Sequence, residues 1–175
     1  MANEAISDFE IVKRHLDGTA PDLLAILNDL GIAYRETSLE NGASGAIEAN
    51  NGRFTISVNR NDGPQRQRFT IAHEIGHYLL HRDLLEEQGK LHRHTDILFG
   101  KTSAENPPSP FWPKHEVQAN QFAAALLMPK VSVEKRFEAL KSKTDPVTEL
   151  AREFNVSIKA MSIRLANLGL KPLDE

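Results

Sequence analysis

The segment from residue 65 to 81 constrains the fold of this chain more than any other. It carries apolar residues on most sides of a helix and, among them, the sequence H-E-I-G-H at positions 73–77. A helix that is apolar on most sides is buried against other elements. Burying a polar side chain without a partner costs roughly 2–7 kcal/mol, and burying a charged one costs more. The segment therefore predicts a core helix with a polar site built into it.

The two histidines of this segment have the spacing of metal ligands. Positions i and i+4 differ by about 40° around a helix, so His73 and His77 leave from the same face. Two imidazoles on one face can converge on a cation at ~2.0–2.1 Å. Glu74 lies about 100° away, which favours a general base acting on a metal-bound water over a ligand. A pair of hydrogen-bonded core histidines without a metal is the alternative.

A catalytic zinc site needs a third protein ligand and an open position. His81 lies one turn beyond His77. Three ligands on successive turns of one straight helix, however, cannot surround an ion. His92 and His94 lie in a stretch without periodicity, where the sequence shows nothing that would fix their side chains.

Glu116 is the better candidate for the third ligand, because it lies near the start of the next predicted helix, residues 114–127. Ala119 and Ala123 share a face of that helix. These small residues would let the two helices approach closely and bring Glu116 to the metal. Gly76, unfavourable in a helix by ~1 kcal/mol relative to alanine, also indicates close approach of another backbone or of substrate. Taken alone, Glu116 would be a solvated first-turn carboxylate stabilised by the helix dipole.

The composition narrows the possible sites and partners. The 175 residues include no cysteine, so a disulfide framework is excluded and any metal must be held by His, Asp or Glu. The formal net charge of −3 predicts no general attraction to nucleic acid. The longest uninterrupted apolar run, residues 122–128, is far shorter than the ~20 residues of a membrane span. Residues 1–9 lack the pattern of a signal peptide, so we expect a cytoplasmic protein.

Two segments together resemble a known family. R-F-T-I-A-H-E-I-G-H-Y-L-L-H at 68–81 and E-V-Q-A-N-Q-F-A-A-A-L-L-M-P at 116–129 are similar to the ImmA/IrrE-type zinc metallopeptidases. The resemblance covers roughly residues 30–130. It implies a gluzincin-like Zn²⁺ site with His73, His77 and Glu116 as ligands and Glu74 as the base. It also implies that the substrates are repressor-like helix-turn-helix regulators.

We expect an α+β fold in which a small three-stranded antiparallel sheet packs on a helical zincin-like core. Residues 32–36, 45–49 and 53–58 are the predicted strands, and Asn50-Asn51-Gly52 is the turn of a hairpin between the last two. The simplest assembly is a meander, whose strand 53–58 could pair with a substrate at the sheet edge. Residues 82–113 lack periodicity and predict a long functional loop.

The C-terminal part of the chain reads as two short helices around residues 155–157. Residues 147–165 resemble a helix-turn-helix, so we divide the chain into a peptidase domain at 1–142 and a helical extension at 143–175. From 146 to 171 there are four basic and two acidic residues, a weak balance for binding phosphates. A structural or substrate-docking role is favoured over DNA contact.

The predicted function is zinc-dependent hydrolysis of a peptide bond in a protein partner, such as a helix-turn-helix repressor or an antitoxin-like regulator. The alternative is a non-catalytic zinc-containing regulator that binds its protein partner or DNA. The presence of Glu74 favours the enzyme, since a structural site has no need of a base. Tyr78, His81 and His115 are candidates for a second group that stabilises the oxyanion. The oligomeric state is not predicted.

Overall fold

The computed structural model describes residues 6–16, 18–39, 42–88, 92–95 and 112–171. Within these ranges the chain forms helices and one mixed sheet. The helices are α1 (Asp8–Lys13), α2 (Leu23–Asp29), α3 (Pro64–Leu80), α4 (Arg82–Gln88), α5 (Pro113–Leu127), α6 (Lys130–Leu140), α7 (Pro146–Glu153) and α8 (Ile158–Leu168). The strands are β1 (Ala33–Thr37), β2 (Ala43–Asn50), β3 (Arg53–Asn59) and β4 (His92–Thr95). Among the described helices, none has the length and apolar character needed to cross a membrane.

The core helix α3 lies where the sequence predicts it. Gly63 is extended and precedes Pro64, whose missing N–H is tolerated in the first turn of a helix. All nine residues from Thr70 to Tyr78 are buried, which confirms the prediction of a helix enclosed by other elements.

The sheet differs from the predicted meander. The hairpin of β2 and β3 is present, with Asn51 and Gly52 at positive φ in its turn. The strand order, however, is β1-β3-β2-β4, and β1 runs parallel to β3. The prediction of three antiparallel strands was therefore wrong. Burial accounts for the strand order, because the exposed Arg35 and Glu36 suit β1 to an edge, whereas β3 is mostly buried and lies inside the sheet.

The position of β3 also corrects the predicted substrate edge. β3 is hydrogen-bonded to β1 on one side and to β2 on the other, so its backbone groups are already used by the sheet. It cannot accept an added peptide strand.

The stretch 82–113 begins with regular structure that its sequence did not predict. It opens with α4, and β4 then adds to the free side of β2, with a register shift near Ala43 and Gly45. The rest of the predicted loop, residues 89–91 and 96–111, lies outside the described residues.

α3 and α5 pack closely because small residues face each other. Ala119 and Ala123 are fully buried on α5, as predicted. A Cβ added to Gly76 would lie 3.1 Å from Phe122 Cδ1 and 3.2 Å from Ala119 Cα. The close approach predicted from Gly76 is therefore confirmed, with α5 as the neighbour.

We expect Gly76→Val to destabilise the fold, because its methyl groups would force α3 and α5 apart. Overpacking of this kind lowers the free energy of unfolding by about 1–3 kcal/mol. Thermal denaturation measures the effect. Gly63→Val is the control, because a Cβ at Gly63 meets nothing within 4 Å. Equal melting temperatures for the two variants would contradict the tight contact.

The C-terminal helices pack onto the rest of the molecule. Leu150, Phe154 and Met161 are fully buried and belong to the same apolar cluster as the residues of α3 and α5. Arg164 donates a hydrogen bond from Nε to the carbonyl oxygen of Met128 at 3.0 Å, which links α8 to the end of α5. The division at residue 142 and the helix-turn-helix character of α7 and α8 stay predictions.

Candidate metal centre

Three side chains from two helices meet in the core. His73 and His77 project from α3, and Glu116 projects from the first turn of α5. The two histidine Nε2 atoms are 2.9 Å apart. Glu116 Oε2 lies 3.4 Å from His73 Nε2 and 3.7 Å from His77 Nε2. All three side chains are buried, so the three residues chosen from the sequence form one compact group.

The donor atoms of this group fit a zinc-sized ion. Tetrahedral bonds of ~2.0–2.1 Å place ligand atoms about 3.3–3.4 Å apart. The observed distances of 2.9, 3.4 and 3.7 Å bracket that value. Burial lowers the pKa of His77 to about 4, which keeps its imidazole neutral and able to act as a ligand.

Glu74 lies beside the group, fully buried between α3 and the sheet. Gly45 on β2 leaves room for it, because a Cβ at that position would lie 3.1 Å from Glu74 Oε1 and 2.2 Å from Thr70 Cγ2. Burial raises the pKa of Glu74 well above its ordinary value, and the negative charge of Glu116 raises it further. Two carboxylates buried in one site favour a bound cation, since a buried charge without a counter-charge is costly.

A side chain of α5 orients the first histidine. His73 Nδ1 lies 2.8 Å from Asn120 Oδ1. If Nε2 of His73 faces the metal, the ring proton is on Nδ1 and is donated to the Asn120 carbonyl oxygen. Asn120 is four residues after Glu116, so one face of α5 supplies both a candidate ligand and the group that holds another ligand.

The second histidine is held by a chain of two further residues. His77 Nδ1 lies 3.0 Å from His81 Nδ1, and His81 Nε2 lies 3.0 Å from Gln118 Oε1. With Nε2 of His77 towards the metal, its Nδ1–H donates to His81 Nδ1. His81 then carries its proton on Nε2 and donates it to the Gln118 carbonyl oxygen. His81 therefore contacts a candidate ligand and does not join the group itself.

Two other residues considered from the sequence have different surroundings. Tyr78 points towards α1 and β3, where its hydroxyl donates to Asp8 Oδ2 at 3.2 Å and its ring packs edge-on against Phe54. It packs in the core and does not face the ligand group. The His115 ring contacts the His81 ring at a tilt of 44°, with ring centroids 4.7 Å apart. Its Nδ1 accepts a hydrogen bond from the backbone N–H of Trp112. The side chains of His92 and His94 lie outside the described part of the chain.

Sequence reasoning missed the supporting residues Asn120, Gln118 and Gly45. A signal existed for Asn120, because an amide four residues after a candidate ligand lies on the same helix face. No comparable spacing connects Gln118 to His81 or Gly45 to Glu74, because those contacts depend on tertiary packing.

The sequence of this chain matches a known peptidase family. Residues 27–166 match the peptidase family described as the IrrE N-terminal-like domain, and the chain belongs to that family. The expected ImmA/IrrE relationship is thereby confirmed.

Known proteins similar to this chain include an enzyme and a regulator. The chain is 32% identical over 163 residues to the radiation response metalloprotease IrrE of Deinococcus radiodurans, covering 79% of this chain and 45% of that protein. A solved structure of a Mycobacterium tuberculosis transcriptional regulator has the same fold, with a TM-score of 0.59 and 18% identity, covering 91% of this chain and 46% of that one. The chain thus spans about half the length of each relative.

Proposed function

We propose that this protein is a zinc-dependent peptidase that hydrolyses a peptide bond in a protein partner. The observation that carries the proposal is the buried group of His73, His77 and Glu116 with the Glu74 carboxylate next to it. Membership of a peptidase family supports the same reaction class. In this proposal the three residues of the group are the zinc ligands and Glu74 is the catalytic base.

The side chains of the site have three different roles in the proposed hydrolysis: they hold the metal, transfer a proton or orient the metal ligands. A zinc ion held by the three ligands would supply Lewis acidity towards a water molecule and a carbonyl oxygen. Glu74 accepts the proton of the attacking water and later donates it to the leaving amine. Burial raises the pKa of this carboxyl group, which makes it a stronger base towards water. Asn120 and His81 keep the two imidazoles in the required orientation.

A catalytic role fits the group better than a structural one. Structural zinc sites are closed by four protein ligands, whereas catalytic sites use three and keep a position open. Three residues form the group in the described part of the chain. A buried carboxylate of raised pKa beside them has no purpose in a structural site, so Glu74 argues against a non-catalytic regulator.

The finer part of the proposal concerns the partner. We propose as substrate a helix-turn-helix repressor or antitoxin-like regulator in the cytoplasm, following the family resemblance. One similar protein is named for a radiation response and another as a transcriptional regulator, which supports a connection with gene control. DNA binding by the chain itself is less favoured, because Arg164 on α8 is used in a hydrogen bond to Met128.

The test is incubation of the zinc-loaded protein with helix-turn-helix regulators from the same organism. We expect two fragments of the regulator on a gel, no cleavage after treatment with EDTA, and recovery on adding zinc back. Mass spectrometry of the fragments identifies the cleaved bond. An intact regulator that forms a stable complex with the zinc-loaded protein would instead support the non-catalytic alternative.

A further inference from the structure

We propose that α7 and α8 form one wall of the substrate-binding cleft, and that this cleft takes an extended peptide with a bulky apolar side chain next to an acidic one. The inference rests on the proposed function and names the substrate class for the same site. It starts from a cavity of about 550 Å³ between the first turns of α3, the start of β2 and the α7–α8 turn. Ligand pockets in proteins range over ~300–1,000 Å³, so the cavity has room for more than one side chain.

The cavity lies next to the candidate metal centre along α3. Phe69 and Thr70 line it, and they precede His73 and Glu74 by about one helical turn, or ~5 Å. The Phe69 ring centroid is 6.5 Å from that of His73. Thr70 and Glu74 both pack against Gly45. A peptide whose scissile bond lies at the metal centre would therefore place a neighbouring side chain in the cavity.

The walls of the cavity select an apolar side chain. Phe69 and Leu127 come from the peptidase core, and Val156, Ala160 and Ile163 come from the α7–α8 pair. Ile163 is 52% exposed, although it lies on the wall of a concave site. An isolated exposed isoleucine is ordinary, but one that lines the same cavity as Phe69 provides a surface that an apolar ligand can cover.

The rim adds a preference for negative charge. Arg66 and Lys159 line the cavity, and none of its described lining residues is acidic. Arg66 is held by Ser44 Oγ at 2.7 Å and by Asp62 at 3.2 Å, so its charge is partly offset. Lys159 is exposed at the first turn of α8, so the described lining presents two basic side chains at the rim. Complementary charge at such a rim contributes specificity more than affinity.

The same residues make α8 a poor reader of DNA. Lys159 and Ile163 line a cavity that faces the peptidase core, and Arg164 is bound to Met128. A duplex would need several such cations along its phosphates, on a face open to solvent. A single extended peptide can reach the space between the core and α8.

The experiment uses the full zinc-loaded Glu74→Gln chain, which should bind peptide without cleaving it, and follows its amide NMR spectrum. The first probe is the blocked peptide Ala-Ala-Glu-Leu-Leu-Ala-Ala-Ala. In two comparison peptides the leucines are replaced by alanine or the glutamate by lysine. We expect shifts concentrated at residues 66–70 and 156–163. Binding should weaken at least about tenfold without the leucines, as for the loss of apolar groups from a pocket.

Substitutions in α8 test whether the peptide binds in the cavity or on the neighbouring surface. Ile163→Trp should block the cavity and weaken the first peptide about tenfold, whereas Ser162→Trp, on the adjacent exposed position outside the lining, should not. Lys159→Glu should reverse the preference for glutamate over lysine in the peptide, and Lys135→Glu on exposed α6 surface should leave it unchanged.

Several results would overturn the inference. Equal affinity for the three peptides would do so, as would amide shifts confined to other surfaces. Unchanged peptide binding by Ile163→Trp would also contradict it. So would a short DNA duplex that shifts the amide signals of α8 when the peptides do not. Failure of the proposed function gives a different result. Peptide binding in the cavity by a protein that cleaves no regulator would support the cleft and reject the peptidase.

Discussion

Replacing Glu74 by glutamine should leave zinc bound and lower kcat for cleavage of the regulator by about 10²–10⁴-fold, the usual contribution of a general base. Glutamine has nearly the same shape but cannot take a proton from water. The proposed ligands His73, His77 and Glu116 stay in place, so metal analysis should still find one zinc per chain. Single-turnover cleavage measured beside zinc content separates the two effects.

The same variant has an expected effect on the metal-free protein. Glu74 is fully buried and its pKa is raised by desolvation, so its charged form is unfavourable in the folded state at neutral pH. A neutral glutamine removes that penalty, and the melting temperature of the metal-free variant should be equal to the wild-type value or higher. Glu138→Gln, on the exposed surface of α6, is the control for both measurements. Cleavage by Glu74→Gln at the wild-type rate would show that another group activates the water.

The grouping of His73, His77 and Glu116 was predictable from the sequence because it depends largely on local geometry. His73 and His77 are one helical turn apart, so their convergence follows from helix geometry alone. Glu116 required a second inference, that small residues bring α5 against α3. The contact of Gly76 with Ala119 bears this out. Periodicity also placed most helices to within a few residues.

The strand order and the contacts of the supporting residues were not predicted, because they depend on tertiary packing, which sequence periodicity does not specify. The order β1-β3-β2 results from competition among strands for the centre of the sheet, in which exposed Arg35 and Glu36 keep β1 at an edge. That polar pattern was visible in the sequence. The contact of His81 with Gln118 joins residues 37 positions apart on different helices, so only the packed structure shows it.

Removal of a ligand is expected to have the largest effect on the metal. His73→Ala, His77→Ala and Glu116→Ala should each give protein that loses zinc on dialysis. Each change leaves two protein ligands where a catalytic site needs three.

The supporting residues should have a smaller effect, and this difference tests the assignment. His81→Ala and Asn120→Ala remove groups that hold His77 and His73, and outer residues of this kind change metal affinity by about 10–100-fold. His15→Ala is the control, since His15 pairs with Asp29 away from the site. Competition with a fluorescent zinc chelator measures all six variants. The order of zinc affinity should be wild type and His15→Ala first, then the two supporting variants, then the three ligand variants. If His81→Ala empties the site while Glu116→Ala keeps its zinc, the third ligand is His81, and α3 must bend to bring it to the ion.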